Sequence, residues 1–126
     1  MHAADTNILV RLVARDNPSQ AAAARAFVAS GVWASQLVLA ETAWVLQQTY
    51  GFDDAELVET LDMLLNHAGV TVQDADIAIA ALALFKKRPA LGFAHCLILE
   101  TARKAGHLPL GTFDRELGKV DGARRL

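Results

Sequence analysis

Short apolar segments alternate with longer stretches of helical spacing along this chain, and that alternation restricts its fold more than any other feature. His2 to Asp5 reads as a short buried strand, and Val32 to Ala34, Val70 to Val72 and Leu108 to Thr112 read as further strands. Helical spacing covers Ile8 to Ala14, then a segment opened by Pro18 with Ala21, Ala24, Phe27 and Val28 on its apolar face. It covers Leu37 to Tyr50, and a helix that Asp53 or Asp54 can cap, carrying Leu57, Leu61, Leu64 and Leu65. Asp74 to Lys87 and roughly Phe93 to Lys104 complete the set. Gly31, Gly51, Gly69 and Gly106 stop helices, and Pro89 closes another. Asp114 is placed to cap a last short helix, and Ala123 to Leu126 to add an edge strand. Strands separated by helices pair in parallel through crossovers, with helices covering the sheet. The expected architecture is a single domain over residues 1–126, a three-layer α/β/α fold with a central, mainly parallel sheet.

Composition supports this reading. Hydrophobic residues make up 53% of 126 residues, enough for one core and far from the disordered range. The longest apolar runs, such as Leu37 to Ala40 and Ala78 to Phe85, fall well short of the about 20 residues a membrane helix needs. One cysteine, Cys96, excludes an internal disulfide framework, and no cationic segment followed by an apolar one opens the chain, so a reducing cytoplasm is expected. The net charge of −2 gives no global basic field for a nucleic acid. Lys86-Lys87-Arg88, Arg103-Lys104 and Arg124-Arg125 are local positive clusters, readable as solvated ends or as contacts to a polyanion.

Three carboxylates and one imidazole stand out because their surroundings are apolar. Asp5 follows a strand and precedes a helix, where it reads as an N-cap or as a ligand, with Thr6 and Asn7 as hydrogen-bonding companions. Glu41 has Leu37, Val38, Trp44 and Val45 as helical neighbours, the face expected to pack inward. Asp114 repeats the setting of Asp5, with the Thr112 hydroxyl two residues earlier. His95 lies among Leu91, Gly92, Ile98 and Leu99, as a core histidine or as a ligand. A carboxylate away from water requires a cationic partner, and no Arg or Lys stands beside Asp5 or Glu41 in sequence. Two carboxylates about 4 Å apart repel by roughly 4 kcal/mol at an effective dielectric near 20, so a cluster needs a cation to stay ionised. Hard oxygens suit Mg²⁺ or Mn²⁺, which retain waters and accept phosphate oxygens. The chemistry open to such a site is phosphodiester hydrolysis by an activated water.

On these segments the chain resembles the PIN-domain family, specifically the VapC-type ribonuclease toxins. The carriers are Ala4-Asp5-Thr6-Asn7-Ile8-Leu9-Val10, Leu39-Ala40-Glu41-Thr42-Ala43-Trp44-Val45-Leu46, Phe93-Ala94-His95-Cys96-Leu97-Ile98 and Thr112-Phe113-Asp114-Arg115-Glu116-Leu117. Each motif is short, but four in order span nearly the whole chain. The resemblance implies a parallel-sheet fold and a Mg²⁺- or Mn²⁺-dependent endoribonuclease. It further implies an RNA substrate, a cognate VapB-type antitoxin that blocks the site, and a homodimer. It carries catalytic and metal-holding roles onto Asp5, Glu41 and Asp114, with Thr6, Asn7 and Thr112 as polar companions.

The third motif departs. His95 stands where the family has an aspartate, and Gly92 where it often has another acid. Imidazole favours Zn²⁺ or Mn²⁺ over Mg²⁺. His95 therefore implies an altered metal preference, a weaker site completed by water, or a catalytically impaired relative that still binds antitoxin or RNA. A phospho-acceptor signalling domain of similar length would need an acidic pair at the first strand and an acceptor Asp at a mid-chain strand end, and Asp5 stands alone.

Overall fold

The backbone builds its elements where local chemistry begins and ends them. A computed structural model of the protein describes residues 1–14 and 16–126. Among them it contains strands β1 (His2–Ala3), β2 (Val32–Ala34), β3 (Val70–Val72), β4 (Leu110–Thr112) and β5 (Ala123–Arg125). The helices are α1 (Thr6–Ala14), α2 (Pro18–Ala29), α3 (Gln36–Gln48), α4 (Asp54–Leu65), α5 (Ala75–Lys87) and α6 (Phe93–Ala105). Single 3-10 turns occur at Pro89–Leu91 and Leu117–Lys119. The class is the mixed α/β fold with parallel strands that the alternation requires. No helix among the described residues is long and apolar enough to cross a membrane.

The chain forms two compact units, Met1–Ala75 and Asp76–Leu126. In the first, a parallel sheet runs in the order β1-β2-β3, with His2 opposite Val32, Val32 opposite Val70, and Ala34 opposite Val72. Val32, Ala34, Val70 and Val72 are buried while Trp33 and Thr71 are exposed, the period of two that a strand imposes. Asn17 caps α2 by accepting from the Gln20 amide, Ser35 caps α3 by accepting from the Val38 amide, and Asp53 with Glu56 forms a capping box on α4. Leu57, Leu61 and Leu64 are fully enclosed on α4, each contributing about 1.5–3 kcal/mol of burial. Gly69 permits the tightest approach: a Cβ there would stand 2.5 Å from the Val28 carbonyl oxygen.

In the second unit, Ile77, Ala78, Ala81, Leu82 and Phe85 of α5 are buried, as are Phe93, Cys96, Leu97 and Leu99 of α6. The rings of Phe85 and Phe93 meet edge to face at 6.1 Å. The last residues do form a strand, β5, whose partner is β4: the two pair in parallel, with Gly111 opposite Arg124 and Thr112 opposite Arg125. Parallel neighbours usually need a crossover of a dozen or more residues. Here residues 113–122 suffice, because the helix expected after Asp114 shrinks to the single turn Leu117–Lys119. Gly118 in that turn lies against β5, where a Cβ would come within 2.6 Å of the Arg125 Cβ.

Candidate active site

Asp5 and Glu41 are brought together by one threonine. The Ala4 amide still donates to the Trp33 carbonyl at 2.9 Å, so Asp5 is the first residue free of the sheet edge. Thr6 opens α1 and is buried, at 5% exposure. Its amide donates to Asp5 Oδ1 at 2.8 Å, and its hydroxyl donates to Glu41 Oε1 at 2.5 Å. The pattern at Asp5 is not the usual cap, in which the side chain accepts from an amide two or three residues into the helix. Among the described residues, Asp5 Oδ2 and Glu41 Oε2 accept no hydrogen bond from the protein. Two carboxylates are thus fixed through one side and left with an oxygen each.

Glu41 corrects one expectation. Its helical neighbours Leu37 and Trp44 are 83% and 63% exposed, and Glu41 is itself exposed. The buried face of α3 is Leu39, Thr42, Ala43 and Leu46. Apolar residues wrap most of the helix, so apolar neighbours do not imply an inward face. Asp5 is likewise exposed, and neither acid suffers the desolvation inferred from its sequence context. Asn7 is also exposed; it lines a cavity of about 410 Å³ with Ile8, Arg11, Gln20, Ala23, Ala24 and Phe27.

A second pair forms in the other unit. Thr112 Oγ1 accepts from the Asp114 amide at 3.0 Å, and Asp114 Oδ1 accepts from the Leu117 amide at 2.8 Å. Asp114 thus accepts from the first amide of the Leu117–Lys119 turn, whose N-cap residue is Glu116 rather than Asp114, and this contact occupies one oxygen only. The other, Oδ2, lies 3.9 Å from His95 Nδ1, with both side chains half-exposed. His95 Nδ1 is 3.1 Å from the Leu91 carbonyl oxygen. A carbonyl only accepts, so Nδ1 carries the proton, and a neutral His95 keeps its lone pair on Nε2. Gly92, at φ +78, has open space where a Cβ would be.

The ion pairs of the cations in this unit were not legible in the sequence. Arg88 pairs with Glu116 at 3.5 Å, Arg103 with Glu100 at 3.2 Å, and Lys104 with Asp76 at 2.8 Å. The hydrogen bond from Lys104 holds the Asp76 carboxyl below its ordinary value. Cys96, in the third motif, is buried, and burial pushes its thiol up to about 11, with Glu100 adding to the effect. It is a packing residue, not a nucleophile.

Among the described residues, no three His, Cys, Asp or Glu side chains gather into a ready cage for a metal. The donor set nevertheless fits a hard divalent ion. Mg²⁺ is commonly held by one or two carboxylates and keeps several waters, completing its shell from substrate phosphates. Asp5 and Glu41 offer that number of unengaged oxygens on a rigid strand end and a rigid helix. The family model described as PIN domain matches residues 3–123. No curated protein and no solved structure matches the chain.

Proposed function

The chain belongs to the PIN-domain family, and from that premise we propose that it is a metal-dependent endoribonuclease, the toxin of a VapBC-type toxin–antitoxin pair. PIN domains are generally metal-dependent nucleases, which supports this reaction class. The observation that carries the proposal is the Asp5–Thr6–Glu41 arrangement, two carboxylates indexed by a single buried threonine. Asp5 and Glu41 would hold Mg²⁺ or Mn²⁺; Asp114 takes the same role from its motif. When bound, such an ion lowers the pKa of a coordinated water and stabilises charge on phosphate oxygens.

The protein's own contribution is positional. The Thr6 amide and hydroxyl fix one oxygen of each acid, so the remaining oxygens start in place. Thr112 and the Leu117 amide do the same for Asp114. A VapB-type antitoxin that covers these acids, a homodimer and a cytoplasmic setting complete the reading, each implied by the resemblance. Cleavage of single-stranded RNA should require Mg²⁺ or Mn²⁺ and stop on chelation. Cleavage that persists in excess chelator would sink the proposal.

His95 favours a second reading, a catalytically impaired PIN domain that retains antitoxin or RNA binding. The Leu91 carbonyl occupies Nδ1, and a neutral imidazole supplies no negative charge beside Asp114. Comparing the native chain with His95→Asp in Mg²⁺ and Mn²⁺ separates the readings. Activity confined to the aspartate variant supports impairment, whereas native turnover in Mg²⁺ rejects it.

A further inference from the structure

Charge is divided between the two units. Met1–Ala75 holds nine acidic and three basic residues, and Asp76–Leu126 holds five acidic and nine basic ones. The net charge of −2 therefore conceals an acidic unit and a basic one.

The second unit sorts its cations further. Arg103 and Lys104 are consumed internally, Arg103 by Glu100 and by the Asp121 carbonyl at 2.8 Å, Lys104 by Asp76. Among the described residues, Lys86, Lys87, Arg115, Arg124 and Arg125 have no ion-pair partner within 4.0 Å, and all five are exposed.

The fold gathers these free cations around the segment that carries Asp114. Arg124 and Arg125 lie on β5, paired with Gly111 and Thr112, and the Leu126 amide donates to the Thr112 carbonyl at 2.9 Å. Because the pairing is parallel, the arginines sit at the end of β4 from which Asp114 emerges. Gly118 approaches Arg125 closely enough that a Cβ there would stand 2.6 Å from the Arg125 Cβ, which holds β5 against that turn. Lys86 and Lys87 end α5, and the adjacent Arg88 is tied to Glu116, two residues beyond Asp114. Arg115 is the next residue after Asp114. Free arginines held on a hydrogen-bonded strand lose less freedom on binding than arginines on a loose segment.

We propose that Arg124 and Arg125 on β5, with Lys86 and Lys87 at the end of α5, form a phosphate-binding strip that positions the RNA backbone along the Asp114 segment. The inference rests on the nuclease reading for its substrate, but its observable is binding. These are positioning residues, and they contact phosphates rather than bases. Guanidinium groups suit this task because their fork matches phosphate oxygens.

The test is the affinity of a fluorescent single-stranded RNA for the full chain carrying Asp5→Asn, in Mg²⁺, as a function of salt. Each phosphate contact on a single strand contributes about 0.7 to the slope of log affinity against log salt, so Arg124→Ala/Arg125→Ala should flatten it by about 1.4. Between roughly 50 and 200 mM salt the variant should then lose about sevenfold less affinity than its parent. Lys86→Ala/Lys87→Ala, on an exposed helix end, should flatten the slope similarly even if β5 tolerates no change. Arg124→Lys/Arg125→Lys should keep the slope, and Arg25→Ala in the acidic unit should not alter it. An unchanged slope in variants that melt normally would overturn the proposal. If those variants instead lost affinity for an acidic protein, the strip would belong to a protein partner and the RNA assignment would fail. Absence of cleavage by the native chain would count against the nuclease reading alone, since the slope is read without turnover.

Discussion

The acidic unit and the basic unit handle the same chemical problem in opposite ways. In Met1–Ala75, two carboxylates are held by a neutral donor, Thr6, and among the described residues neither has an ion-pair partner within 4.0 Å. In Asp76–Leu126, the carboxylate of Asp114 faces an imidazole, and the strand before it pairs with one that carries Arg124 and Arg125. The first arrangement stores unbalanced negative charge, which favours a divalent ion. The second supplies positive charge, which favours a polyanion. A nuclease needs both, because an acidic metal site by itself repels the phosphates it must engage.

The comparison can be broken most severely at the first pair. Glu41→Gln keeps the shape and the Thr6 hydrogen bond but removes a charge, and cleavage should fall by more than about 100-fold. An initial-rate assay in Mg²⁺ reads this directly. Thr6→Val removes the hydroxyl while filling the same space. Activity or metal affinity should drop about tenfold, with a stability loss of about 1 kcal/mol, measured by metal titration and denaturant melts.

Two smaller effects are expected in the second unit. Gly118→Ala places a methyl group 2.6 Å from the Arg125 Cβ, and stability should fall by about 1–3 kcal/mol, with RNA affinity falling alongside. A melting curve and the salt titration check both. Cys96 tests burial with the least disturbance. Burial holds its folded thiol up at about 11, above its ordinary value of about 9, so the native chain should resist alkylation at mildly alkaline pH, followed by mass measurement. The sign follows by linkage. The fold favours the neutral thiol, so this contribution is intact below about 9 and is lost as pH rises toward about 11.

Much of the fold could be read from the chain because punctuation is local. Asn17, Ser35 and Asp53 cap helices through neighbouring amides, and Gly51 and Gly106 take positive φ just beyond helix ends, which glycine does without strain. The strands β2 and β3 are short apolar runs between such signals, whereas β1 is only His2–Ala3 and exposed, not the buried strand His2 to Asp5 that its position suggested. What could not be read depends on neighbours distant in sequence. The exposure of Leu37 and Trp44 depends on which side of α3 meets α1 and α4, and an all-round apolar helix does not say. The pairing of β5 with β4 depends on how closely the Gly118 turn lets the strands approach. The candidate site divides the same way. Its acids were visible as residues, and Thr6 was a named companion, but its bridge from Asp5 to Glu41 spans 35 positions along the chain. The use of Arg103 and Lys104 in internal pairs, and the freedom of Arg124 and Arg125, were equally hidden.

The most direct test of the central claim is single-turnover cleavage of a single-stranded RNA by the native chain and by Asp5→Asn, each in Mg²⁺, in Mn²⁺ and in chelator. The native chain should cut in at least one of the two ions and not in chelator, and Asp5→Asn should lose more than about 100-fold while still binding RNA. Equal cutting by both chains, or cutting that chelation leaves untouched, would contradict that claim.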